Sequence, residues 1–259
     1  MKKLALLWVL IFVMQQASAQ LTTAQWREDL QFLKQTVHNK YPNLFHKVTA
    51  AQFDAAVDAL DKRLPNLKDY ETVAEMSKIV AMFRIGHTQL SITPRHKHEA
   101  NQAAQPSFGF VPVQFYLFSD GLYIKAADKK YADAVGGKVL KIGNLETAKA
   151  LEAIRPYTVY ENEKGFESNA PFYLSSLELL KVAGISASLE SVPIVFSKNG
   201  KENRLVFEKA PLNPSRFSTT GLTIPTDWVD AKDPSVSPLW QREPTEYRTM
   251  EFLKESKTL

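Results

Sequence analysis

Hydrophobic residues recur at helical spacing through the first third of the chain. Three segments between residues 22 and 86 carry apolar side chains three or four positions apart, the pattern of amphipathic helices. Two of them open with Thr22 and Thr49, each followed three residues later by glutamine, which is a capping-box signature. The links between the segments are short, so we expect an antiparallel three-helix bundle. Its expected core residues are Trp26, Leu30, Phe53, Leu60, Val80 and Phe83.

The hydrophobic period changes after this bundle. Residues 89–93 alternate between polar and apolar side chains, and residues 95–105 have no hydrophobic rhythm, as in an exposed linker. Two β-rich runs, residues 113–118 and 122–126, then flank Asp120-Gly121. An Asp-Gly pair between such runs predicts a hairpin with both central residues at positive φ.

A small mixed α/β unit extends from this hairpin to residue 210. A second hairpin is expected around Lys198-Asn199-Gly200, because β-rich runs lie on both sides of it. Between the hairpins we expect a strand at 139–142, a helix capped by Asn144, and a helix from about Pro171 that stops at Gly184. Beyond residue 210, six of the fourteen prolines fall in the last 49 residues, which indicates a spacer or an arm.

These patterns divide the chain into five segments of an α+β protein. We assign residues 1–19 to a signal peptide, 20–94 to the helical domain, 95–106 to a linker, 107–210 to the α/β domain and 211–259 to the proline-rich arm. The signal peptide is predicted from two lysines, an apolar run of eleven residues and an Ala-Ser-Ala triplet before Gln20. That run is too short to span a bilayer, so we expect a secreted or periplasmic protein without a stable membrane anchor.

Composition excludes several classes of function. Lysine and arginine exceed aspartate and glutamate by 32 to 28, and without the two lysines of the signal peptide by only 30 to 28. Such a small excess does not indicate a nucleic-acid partner. The chain has no cysteine, which excludes disulfides, thiolate metal ligands and a cysteine nucleophile.

Candidate chemistry rests on histidine, since no serine-hydrolase, zinc-protease or phosphate-loop motif is present. His96, His98 and Glu99 lie in the polar linker, where such strings occur without function, so we expect no metal and no cofactor. His87 lies in Arg84-Ile85-Gly86-His87-Thr88, where the bundle passes into a strand and an imidazole can be held rigidly. A helix-capping contact after Gly86 is the alternative role of His87.

The order of these segments resembles the N-terminal half of secreted tail-specific (C-terminal processing) serine proteases, and their tricorn-like branch in particular. The resemblance rests on residues 38–45, 84–88, 120–124 and 136–142. In that family a segment similar to 84–88 closes a helical domain. In tricorn-like members its histidine is the general base, so the resemblance implies that His87 is catalytic.

The family also has a PDZ-like middle domain, and the resemblance implies one at residues 107–210. Ser107, Phe108, Gly109 and Phe110 are similar to the loop whose backbone N–H groups hold a peptide carboxylate, which implies a polypeptide or C-terminal peptide as partner. Alternatively, Gly109 only permits a turn.

The family's nucleophilic serine and oxyanion hole belong to a core that we expect C-terminal to Leu259. The resemblance therefore implies the substrate-presenting part of a serine-type endopeptidase that is inactive alone, because its serine is absent. Its base is His87 or a lysine of the absent half. The alternative is a stand-alone exported module that binds peptides or other ligands and has no catalytic role.

Overall fold

The computed structural model describes residues 21–92, 108–210, 224–225 and 227–232. The expected signal peptide, linker, Ser107 and most of the proline-rich arm lie outside these residues. The described chain is a mixed α+β protein. Its α-helices are α1 (Thr23–Lys40), α2 (Ala50–Arg63), α3 (Asp69–Ala81), α4 (Thr147–Ile154), α5 (Glu163–Tyr173) and α6 (Leu177–Val182). None of the described helices is long and apolar enough to cross a membrane.

The helices α1, α2 and α3 pack around one hydrophobic cluster, which we call the helical core. Both expected capping boxes are confirmed, because Thr22 and Thr49 each exchange hydrogen bonds with the glutamine three residues on. All six expected core residues are buried. Local caps and apolar stripes therefore account for this part of the fold.

Seven strands of the described chain form one antiparallel sheet in the order β1-β2-β3-β5-β6, with β4 paired to β3 and β7 paired to β2. The strands are β1 (Val113–Phe118), β2 (Gly121–Asp128), β3 (Lys138–Ile142), β4 (Leu145–Glu146), β5 (Ser191–Lys198), β6 (Lys201–Glu208) and β7 (Trp228–Asp230). Side chains of this sheet and of α4, α5 and α6 form a second cluster, the sheet core.

Both predicted hairpins are present, but the first turn differs from the prediction. Phe118 pairs with Gly121, so the turn residues are Ser119 and Asp120 and not Asp120-Gly121. Neither Ser119 nor Asp120 has a positive φ, whereas Gly121 has φ +149°. The second turn follows the prediction, since Asn199 and Gly200 have φ values of 52° and 73° between paired Lys198 and Lys201.

The two helix predictions between the hairpins are wrong in detail. Asn144 does not cap α4, because β4 intervenes and Glu146 takes the N-cap position. The helix expected from Pro171 is two helices, α5 and α6, with Pro171 inside α5. Asn162 starts α5 earlier, since its side chain accepts the Gly165 N–H at 2.9 Å. The predicted stop at Gly184 is confirmed by its φ of 71°.

Helix α3 lies between the two cores. Met76 and Ile79 belong to the helical core and Ala74 belongs to the sheet core. On its sheet side α3 packs against α6 and against the 3-10 turn Arg155–Tyr157 that follows α4. Tyr157 donates from its hydroxyl to the buried Glu75 at 3.3 Å, which joins α3 to this turn.

Candidate functional site

The segment that follows α3 is held at the boundary between the two cores. Arg84 adopts a left-handed conformation with φ 55°, which is uncommon for a residue with a side chain. The Gly86 N–H donates to Glu161 Oε1 at 2.9 Å, and the Thr88 N–H donates to the Ile85 carbonyl at 2.9 Å. These bonds fix the backbone on both sides of His87.

His87 is exposed on this fixed segment. Within the part of the chain that the structure describes, its ring has no hydrogen bond, ion pair or ring contact, so it forms no helix-capping contact there either. A general base acts on a nucleophile within hydrogen-bond reach, and no serine or threonine hydroxyl of the described residues reaches this ring. The catalytic role of His87 therefore stays a prediction.

The loop expected to hold a peptide carboxylate is already filled by the protein itself. The Gly109 N–H donates to Glu178 Oε2 at 2.6 Å, and the Gly109 carbonyl accepts the Leu177 N–H at 2.9 Å. The Val111 N–H donates to the Ser175 carbonyl at 3.0 Å. Residues 175–178 thus occupy the place that the sequence analysis assigned to a peptide.

The remaining loop residues are enclosed as well. Phe108 and Phe110 are buried, and Phe110 forms β-bridges to Ser176 on one side and to Ala210 on the other. In this conformation Phe108, Gly109 and Phe110 do not line an open groove, and their substrate-binding role stays a prediction. Ser107 lies outside the described residues.

Glu178 is a buried ionisable group that the sequence analysis did not identify. Its side chain is 4% exposed, and Lys209 Nζ lies 3.5 Å from its carboxylate. Burial raises the pKa of Glu178, while the Gly109 N–H and Lys209 act in the opposite direction. The sequence carries no signal for this pairing, because residues 109 and 178 meet only in the folded chain.

Strand β1 is an edge strand of the sheet; it packs against helix α5 and carries exposed aromatic side chains. Among the described residues it has a strand neighbour on one side only. Tyr116 and Phe118 are 48% and 53% exposed, and their ring centroids lie 4.4 Å apart. The Tyr123 ring of β2 lies 5.4 Å from Phe118. We call Tyr116, Phe118 and Tyr123 the aromatic edge.

The opposite edge of the sheet is chemically different. Strand β6 contains four charged residues, whereas β1 contains none. Charged side chains on an edge strand disfavour pairing with another chain, and an uncharged apolar edge permits it. The aromatic edge is thus the part of the described sheet most suited to accept a further strand.

Comparison with known proteins does not assign this chain to a family, since no protein-family model matches it and no curated protein matches it. No three histidine, aspartate or glutamate side chains of the described residues are grouped so that they could hold a metal ion. The aromatic edge and the segment around His87 are therefore the candidate functional regions of the described chain.

Proposed function

We propose that this chain is the N-terminal, substrate-presenting part of an exported serine-type peptidase similar to the tail-specific proteases. The observation that carries the proposal is the aromatic edge: an uncharged, apolar edge strand that offers both main-chain pairing and aromatic contacts to an extended polypeptide. In this proposal the helices α1 to α3 form the family's helical domain, and residues 107–210 form a PDZ-like domain.

An added strand would gain from both parts of this edge. The outer backbone groups of β1 would supply regularly spaced hydrogen bonds, which give affinity without a strict sequence requirement. Alternate side chains of the peptide would pack on Tyr116 and Phe118, as cross-strand neighbours do in a sheet. The peptide terminus takes no part, because Glu178 already occupies the Gly109 N–H.

His87 is the general base in this proposal, and the serine comes from a catalytic core C-terminal to Leu259. The hydrogen bond between Gly86 and Glu161 supports this role, because a base has to be held in position before its nucleophile arrives. The chain alone then has no peptidase activity, since an imidazole without a serine has nothing to activate.

A second candidate function is a stand-alone exported peptide-binding module. It is favoured by the His87 ring, which has no carboxylate partner among the residues described, whereas catalytic histidines are usually oriented by one. Both candidates require the aromatic edge, and they differ only in the role of His87.

Binding is tested by fluorescence anisotropy with a labelled, unstructured peptide that alternates apolar and polar residues. We expect a dissociation constant in the micromolar range and a weakening of about tenfold for the double variant Tyr116→Ser, Phe118→Ser. Phe32→Ser is the matched control, because Phe32 is an exposed aromatic residue of α1 remote from the sheet. Equal weakening by Phe32→Ser, or no effect of the double variant, would refute the assignment of the site.

A peptide with an amidated C-terminus separates the aromatic edge from the carboxylate loop. Edge pairing predicts that the amide and the free acid bind alike. A strong preference for the free acid would indicate that the peptide binds at residues 107–110. The hydrogen bond between the Gly109 N–H and Glu178 would then have to break.

The catalytic role is tested on a longer chain that contains the expected core. There, His87→Ala should abolish most of the peptidase rate while peptide affinity stays unchanged. A wild-type rate in that variant would indicate that a lysine of the core, and not His87, is the general base. The absence of a serine-containing core from the full reading frame would favour the binding module.

A further inference from the structure

A cavity of about 440 Å³ lies between the helical core and the turn that follows α4. Its volume is within the range of small-molecule sites. Apolar side chains of α2 and the end of α3 form part of its wall, among them Leu60, Ile79 and Met82. A ligand with an apolar body would find matching surface here.

Four cationic side chains line the same cavity: Arg63, Lys78, Arg84 and Arg155. They come from four places in the chain: α2, α3, the segment after α3, and the turn after α4. Among the residues that the structure describes, two carboxylates, Glu75 and Glu152, line it as well. The cavity therefore carries an excess of positive charge.

Two of these cations have acidic partners. Arg63 Nη1 lies 2.9 Å from Glu75 Oε2, and Arg155 Nη1 lies 3.0 Å from Glu163 Oε1. In each pair the carboxylate holds the arginine side chain at the wall of the cavity.

The other two cations have no carboxylate partner within the described ranges. Lys78 Nζ lies 5.6 Å from the centre of the Tyr157 ring, and the Arg84 guanidinium carbon lies 4.0 Å from the centre of the Tyr160 ring. The rings hold these cations beside the cavity and leave their N–H donors for an anion.

The environment of Arg84 is unfavourable for a positive charge. Partial burial and the nearby Arg155 lower the pKa of Arg84, and only Glu163 acts in the opposite direction. The left-handed backbone at Arg84 adds conformational strain. An anion beside Arg84 would offset the unfavourable charge environment of its guanidinium.

We propose that this cavity binds an organic carboxylate, with the carboxylate between Lys78 and Arg84 and an apolar body against Leu60, Ile79 and Met82. This site goes beyond peptide capture at the aromatic edge, since it lies on other elements and takes a small anion. Glu152 has no cationic partner among the described residues, and it opposes such a ligand from the cavity wall.

The site is tested by titrating the ¹⁵N-labelled chain with 4-phenylbutyrate, with the neutral 4-phenylbutyramide as the matched ligand and inorganic phosphate as an anion without an apolar body. A probe of this size should bind with a dissociation constant of about 1 mM or tighter. Amide signals of residues 78–86 and 152–157 should shift with 4-phenylbutyrate, and neither comparison ligand should reproduce the shifts.

Charge variants give the second part of the test. Arg84→Gln and Lys78→Gln should each weaken 4-phenylbutyrate binding by about tenfold or more, because each removes a charged hydrogen-bond donor. Glu152→Gln should tighten binding. Lys201→Gln makes the same charge change at the start of strand β6, outside the cavity, and should have no effect.

The proposal is overturned if the amide binds as well as the acid, or if Lys201→Gln weakens binding as much as Arg84→Gln. Shifts confined to other surfaces would overturn it too. Equal binding of phosphate would refute the apolar part of the site. None of these results depends on peptide binding at the aromatic edge, so the two proposals fail separately.

Discussion

The helical core and the sheet core differ in how they are assembled. Residues of the helical core come from one stretch of sequence between Trp26 and Phe83, and capping boxes mark the starts of α1 and α2 locally. The sheet core extends from Ala74 to Phe207 and depends on pairings between distant segments, such as Gly109 with Glu178. Local signals therefore build the first region, whereas the second exists only when remote segments meet.

The largest expected effect is on the helical core. Phe53 is fully buried and its ring contacts those of Phe45 and Phe83. Phe53→Ala should lower the free energy of unfolding by about 3 to 5 kcal/mol, measured by denaturant titration. Hydrogen exchange should show the loss first in α1 and α2. An equal loss of protection in β5 and β6 would show that the two regions unfold as one unit.

The second-largest effect on stability is expected at the long-range hydrogen bond between Gly109 and Glu178. Glu178→Ala leaves the buried Gly109 N–H without its acceptor, and should lower the free energy of unfolding by about 1 to 3 kcal/mol. The same change should speed exchange at residues 109–111 and leave α1 unaffected. A decrease in the free energy of unfolding of only a few tenths of a kcal/mol would contradict the role assigned to Glu178.

The raised pKa of Glu178 gives this pairing a pH dependence. Because burial favours the protonated acid in the folded state, the stability that this group contributes is complete below the unfolded pKa and is lost as pH rises through the folded pKa. Glu178→Gln cannot ionise but still offers an acceptor to Gly109. Its stability relative to wild type should therefore improve as the pH rises from about 4 towards 7, in denaturant titrations at each pH. A stability difference between Glu178→Gln and the wild type that stays constant over this pH range would contradict the raised pKa.

A smaller effect is expected at a local helix signal. Thr49→Ala removes the hydroxyl that accepts the Gln52 N–H, and should lower the free energy of unfolding by about 1 kcal/mol. Thr49→Ser keeps the hydroxyl and serves as the control. Thermal denaturation that does not separate the two variants would indicate that packing alone fixes the start of α2.

The smallest effect is expected at the surface ion pair between Arg27 and Asp61, whose side chains are 48% and 31% exposed. A double-mutant cycle should give a coupling of about 0.2 to 1 kcal/mol that decreases at high salt. A coupling well above this range would mean that charge, and not only apolar packing, holds α1 to α2.

The same contrast explains how much of the fold was predictable. The capping boxes at Thr22 and Thr49 and the Asn-Gly turn at 199–200 are local signals, and each gave a correct element. The sequence prediction merges α5 and α6 into one helix because proline is typical of a helix start, whereas Pro171 lies inside α5 and the cap is Asn162.

The candidate site was less predictable for a related reason. His87 was found at a fixed junction, but neither its exposure nor the Gly86–Glu161 bond is visible in the sequence. The loop at Gly109 looked open because its occupant, Glu178, lies 69 residues away. The exposure of Tyr116 and Phe118 depends on the position of β1 at the edge of the sheet, which only strand order reveals.

Amide hydrogen exchange with and without bound peptide tests the central claim most directly. If the aromatic edge presents substrate, peptide binding should slow exchange in residues 113–118 and leave the helical core unchanged, because new hydrogen bonds form only along β1. Slower exchange at residues 108–111 instead, with β1 unchanged, would contradict the account and place the peptide at the loop that Glu178 now fills.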